Sequence, residues 1–125
     1  MAKSRYGENS IIRWKDKKRI MGMPISFTRY SLVENEDWIK LFVNTGILST
    51  REEEINLYRI YDITVTCSLF DKIFGVGCIT LHSKDESTPT LSLMHIKKPY
   101  EVRNMIAKIV EEEKAKRGFR VAEFN

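Results

Sequence analysis

The sequence predicts a mainly β domain of the α+β class: a barrel of six or seven short antiparallel strands capped by one C-terminal helix. Three observations predict it. Segments with apolar residues at every second position recur between residues 27 and 95, separated by turn formers. One later segment repeats its apolar residues at helical spacing instead. The length, 125 residues, is that of one domain. A twisted sheet of that many strands curls on itself and leaves an open end. A terminal helix with a single apolar stripe would close it.

Residues 1–9 are polar, and Ile11–Trp14 has room for a short extra strand. Lys15–Arg19 then reads as a basic turn, and Gly22 and Pro24 interrupt regular structure. Phe27–Val33 is rich in aromatic and β-branched residues, a strand composition. Glu34–Asp37 follows as a hairpin loop. Trp38–Asn44 alternates, with Ile39, Leu41 and Val43 on one face. After the Thr45-Gly46 turn, Ile47–Leu57 reads as a long strand. It is polar at Thr50–Glu54 and so belongs at an exposed sheet edge. Ile60–Cys67 alternates again, with Ile63, Val65 and Cys67 together.

Ser68 is a suitable helix cap, and Leu69, Ile73 and Phe74 fall at helical spacing before Gly75. This predicts one helical turn plugging the barrel end. Gly77–Ser83 returns to β, with Ile79 and Leu81 inward. Thr90–His95 does the same, with Leu91, Leu93 and His95 sharing the inward face. Pro99 and Glu101 suit a helix start. Val102, Met105, Ile106, Ile109 and Val110 form the stripe, and Gly118 is the expected stop. The expected organisation is a basic arm at 1–24, the domain at 25–118 and a tail at 119–125.

Hydrophobic residues make up 42% and charged residues 30%, a globular composition that excludes a disordered chain. A membrane-spanning helix needs about 20 apolar residues, and no uncharged run exceeds Ile73–Ser83. The N-terminus lacks the apolar core of a secretory signal. The expected location is cytoplasmic, with contact at the membrane periphery left open. Cys67 and Cys78 form no CxxC pair and are expected to be reduced. The net charge of +4 is uneven: residues 1–20 carry +5, residues 34–62 carry −4 and residues 97–120 carry +4. Basic ends of this kind can serve solubility or attract phosphates on lipid or nucleic acid.

Several motifs together resemble the bacterial pleckstrin-homology-like domain family. They are Tyr30 and Leu32; Gly46, Ile47 and Leu48; Leu57, Tyr58, Arg59, Ile60 and Asp62; and Ser68, Leu69, Phe74, Gly75, Val76 and Gly77. The resemblance covers roughly residues 25–110. It implies two orthogonal antiparallel sheets forming a partly open barrel capped by a C-terminal helix. It transfers no catalytic residue. Eukaryotic relatives by fold often bind phosphoinositides through a basic loop between their first two strands. If the first strand is Phe27–Val33, that loop is Glu34-Asn35-Glu36-Asp37, whose three negative charges repel phosphate. If it is Ile11–Trp14, the loop is Lys15–Arg19, which is basic.

Chemical constellations are sparse. Gly75-Val76-Gly77 lacks the third glycine of a dinucleotide fingerprint and enters a strand, so a tight turn explains it. Cys78 and His82 share a strand face but lie about 13 Å apart along it, too far to ligate one ion. Glu52–Glu54 reads as a solvated edge that discourages pairing with other chains. No serine nucleophile elbow exists. No catalytic, cofactor or metal site is therefore expected. The expected function is a non-enzymatic interaction module that binds a protein segment or itself in a homo-oligomer, by strand addition along Ile47–Leu57. The alternative is peripheral binding of anionic lipid or nucleic acid through Arg13, Lys15, Lys17, Lys18 and Arg19. Of these two, nucleic acid is the less favoured, because only Tyr6, Trp14 and the neighbouring basic residues resemble a single-strand binder.

Overall fold

Alternating apolar residues and short turns pair consecutive strands in antiparallel register, forming two sheets. The computed structural model describes residues 9–20 and 26–124, with side chains of the final helix described through residue 117. The first sheet contains β1 (Ile11–Lys17), β2 (Thr28–Glu34), β3 (Ile39–Thr45) and β4 (Arg51–Asn56), in that spatial order. A 3₁₀ turn at Leu57–Arg59 carries the chain to the second sheet. That sheet contains β5 (Ile60–Thr66), β6 (Val76–Ser83) and β7 (Thr90–Lys97), again in chain order. A short helix, α1 (Leu69–Phe74), lies between β5 and β6. The chain ends in α2 (Pro99–Phe124). This is the expected architecture: mainly β, antiparallel, with a C-terminal helix.

The turns have local causes. Asn35 Oδ1 accepts from the N–H groups of Asp37 and Trp38, an Asx turn that closes the β2–β3 hairpin. Leu32 then faces Leu41, and Tyr30 faces Val43. All four are buried in the common core. In the second sheet Ile79 pairs with Leu93 and Leu81 with Leu91, placing four buried aliphatics on the inner surface. β3 is covered more fully than its alternation suggests. Phe42, on the opposite face, is also buried and meets Trp38 edge-on at 6.0 Å between ring centroids.

α2 starts where the Val102 N–H donates to Lys98 O. Its stripe lies across the 3₁₀ turn and against β5 and β6. Val102, Ile106, Ile109 and Val110 are buried there, and Met105 packs against them. The two sheets also meet along β1 and β7. Arg19 N–H donates to His95 O at 3.1 Å, and Lys97 N–H donates to Asp16 Oδ2 at 3.1 Å.

Five local expectations are corrected. The strand at Ile11–Trp14 exists but continues to Lys17, because Lys15, Asp16 and Lys17 pair with Ser31, Tyr30 and Arg29. Lys15–Lys17 is therefore not a turn, and Glu34–Asp37 is the second hairpin rather than the first. The strand expected over Ile47–Leu57 is only Arg51–Asn56, because Leu57 swings into the core as the chain turns between sheets. Gly118 does not stop α2. An interior glycine costs only about 1 kcal/mol, and no proline follows it. The corrections at α1 and His95 concern the barrel end described next.

Candidate functional site

The site is built at the end of the barrel where the β1–β2 connection, α1 and the end of β7 converge. α1 is fixed by a capping box. Ser68 Oγ accepts from Asp71 N–H, and Asp71 Oδ2 accepts from Ser68 N–H, both at 3.1 Å. Gly75 ends the helix at φ 68°, a left-handed position that glycine adopts without a steric penalty. The side chain drawn inward is Asp71, which is 6% exposed. The apolar residues face out: Leu69, Phe70 and Ile73 are 75%, 71% and 66% exposed. The expected helical turn before Gly75 is present at the barrel end, but Leu69 and Ile73, whose helical spacing suggested it, point away from the barrel rather than into it. The capping carboxylate anchors the helix, so the opposite face meets solvent.

β7 carries one extra residue here. Gly77 pairs with Ile96 and Ile79 with Leu93, leaving Met94 and His95 opposite Cys78 alone. His95 takes φ 51° and turns out of the inward row, where Ile96 replaces it. Tyr30 Oη, at the barrel end, accepts from the Met94 N–H at 2.9 Å and holds the bulge. Burial pushes the Tyr30 hydroxyl pKa up. The re-aimed His95 places Nδ1 3.1 Å from Asp71 Oδ1.

Lys18, Arg19, Ile20, Phe70, Phe74 and His95 line a cleft of about 440 Å³ above this pair. Of the five cations singled out in the sequence, Lys18 and Arg19 border this cleft. Lys15, Lys17 and Arg19 line an adjacent groove with Arg29. Arg13 stands apart, bound to Glu34 at 2.7 Å. Arg19 is held by Asp16 through contacts of 2.7 and 2.8 Å. Lys97 and Lys98 extend the basic surface beside Lys15. Sequence reasoning missed Arg29, Lys97 and Lys98, which are distant in the chain. It also missed Asp71, although Ser68-x-x-Asp71 is a readable capping signature.

The Ser68 N–H is the main influence holding the Asp71 carboxyl below its usual pKa; burial opposes it and His95 assists. A carboxyl depressed in the folded state contributes stability above its unfolded value, and that contribution is lost as pH falls through the folded value. We expect Asp71→Asn to be less stable than the parent at neutral pH. The gap should close in acid below the ordinary carboxylate range. Thermal unfolding over a pH series checks this, and a gap that stays constant would contradict it.

No helix among the described residues is long and apolar enough to cross a membrane. A family model described as bacterial PH domain matches residues 19–110. No curated protein and no solved structure matches the chain.

Proposed function

The chain belongs to the bacterial PH domain family, and from that premise we propose that it is a non-enzymatic binding module that docks its α1 end on an anionic membrane surface. One observation carries the reading. A helix of six residues exposes Leu69, Phe70 and Ile73 beside a cleft bordered by Lys18 and Ile20. Contiguous apolar exposure marks a docking surface. The surrounding charge favours lipid headgroups: Lys15, Lys17, Lys18 and Arg29 lie on the same side, and Asp71 is buried. Such side chains can enter the boundary between headgroups and acyl chains, while each ammonium near an anionic surface adds about 1 kcal/mol. The first connection between strands opens with Lys18 and Arg19 rather than with Glu34–Asp37, so the basic alternative applies to it.

The test is co-sedimentation with vesicles of phosphatidylcholine alone or with phosphatidylglycerol, at low and high salt. Retention should require the anionic lipid and fall with salt. Lys15→Glu, Lys17→Glu and Lys18→Glu together should weaken it at least about tenfold. Phe70→Glu with Ile73→Glu should remove it. Unchanged retention of both variants would sink the reading. Retention on a single-stranded oligonucleotide but not on vesicles would assign the surface to nucleic acid.

The second reading is self-association, or capture of a protein segment, by strand addition at β4. Its support is the position of β4 at the end of the four-stranded sheet. Glu52, Glu53 and Glu54 weigh against a neutral partner strand and favour a basic one. A purely monomeric mass by light scattering at high concentration would argue against the self-associating form.

A further inference from the structure

We propose that Asp71, Cys78 and His95 form a binding site for a divalent transition-metal ion, specifically zinc. One ligand atom from each lies within 4.8 Å of the other two. The three come from separate elements, α1, β6 and β7, so no sequence spacing reveals the set.

The donor chemistry suits zinc. Thiolate, imidazole and carboxylate are its protein ligands, and three of them with one water make an open tetrahedral site. The separations suit it as well. Two ligands each about 2.0–2.1 Å from zinc lie about 3.3 Å apart at a tetrahedral angle. His95 Nδ1 and Asp71 Oδ1 are 3.1 Å apart. The ion would replace the proton these two atoms share. The Cys78 sulfur lies within 4.8 Å of both atoms and would complete the third side by approaching them to about 3.6 Å.

Charge is compatible with a dication. One thiolate and one carboxylate balance it, leaving a neutral site. Arg19 borders the cleft but is already paired with Asp16. Lys18 is the remaining cation facing the cleft among the described residues.

Two features hold the ligands in place without metal. The capping box keeps Asp71 inward, and the bulge turns His95 out of the strand row toward it. A non-glycine residue at φ 51° is energetically unfavourable unless its surroundings enforce it. Binding would transfer the Cys78 thiol proton to solvent, because the thiolate is the ligand, and the His95 ring would bind neutral through Nδ1, carrying its one proton on Nε2. The bound ion would tie α1 to both strands beneath it.

The experiment titrates reduced, metal-free full-length protein with cobalt(II), followed by zinc competition. The expected result is one equivalent bound, with a sulfur-to-cobalt charge-transfer band in the near ultraviolet and the visible spectrum of a four-coordinate ion. Zinc should displace it. Cys78→Ser should abolish the charge-transfer band. His95→Gln should weaken zinc binding by about tenfold or more. Cys67→Ser should leave both unchanged. The two cap hydrogen bonds run between Ser68 and Asp71 and use none of the three substituted side chains, and circular dichroism checks that all three variants fold. Absence of the band at saturating cobalt, or its loss in Cys67→Ser rather than Cys78→Ser, would overturn the site.

Discussion

Ile106→Ala lowers the unfolding free energy by about 2–5 kcal/mol. Ile106 is 0% exposed and lies in the middle of the α2 stripe, between Val102 and Val110. The stripe packs on the 3₁₀ turn at Leu57, itself fully buried, and on β5 and β6. Removing the side chain beyond Cβ leaves a cavity between two rigid surfaces, a helix on one side and a sheet on the other. Neither can collapse without moving the other's contacts. Alanine is the best helix former, so the substitution does not weaken the helix itself. The loss therefore reports packing alone. Urea unfolding measures it, with Glu112→Ala on the exposed face as a control expected within about 0.5 kcal/mol of the parent. A loss below about 1 kcal/mol would mean that α2 does not cap the core as described.

The cap was legible in the sequence because it depends on one element with one period. Val102, Ile106, Ile109 and Val110 fall at helical offsets, and all four are buried. The strands were legible for the same reason: Ile79 and Leu81 alternate, and so do Leu91 and Leu93. The alternation fails where the backbone breaks period. The bulge opposite Cys78 shifts β7 by one residue, so His95 and Ile96 exchange roles. No residue type in Thr90–Lys97 announces that shift; it depends on pairing with β6 and on the Tyr30 hydroxyl at Met94.

α1 shows a different limit. Its boundaries follow from Ser68 and Gly75, which act locally, and both were read correctly. Its orientation does not, because a six-residue helix can anchor through either face. The Asp71 capping carboxylate, with His95 beside it, decides in favour of the polar side. The same decision exposes Phe70 and Ile73, so the docking surface and the Asp71–His95 pair have a single cause. The basic surface was half legible. Lys15, Lys17 and Lys18 are adjacent in the chain, whereas Arg29, Lys97 and Lys98 join them only through the β1–β2 pairing and the β1–β7 contact.

Gly77→Ala should destabilise the domain by about 1–3 kcal/mol through overpacking. Gly77 is buried in β6, opposite Ile96. A Cβ there would lie 2.6 Å from Cys67 Sγ, 2.7 Å from Pro99 Cγ and 3.0 Å from Pro99 Cβ. The sulfur can rotate away, but the proline ring cannot. Pro99 is the first residue of α2, so relief requires the start of the capping helix to move off β6. The sequence pattern explained this glycine as part of a tight turn; the structure assigns it to close approach between strand and helix instead. The two causes are separable. Cys67→Ala in the Gly77→Ala background removes the sulfur and should recover only part of the loss, because the proline contact remains. Chemical denaturation of the four proteins of that double-mutant cycle measures the coupling. Full recovery would place the whole clash at the sulfur. A neutral Gly77→Ala would show that Pro99 is not seated against β6, and the first turn of α2 would then have to sit farther from the sheet.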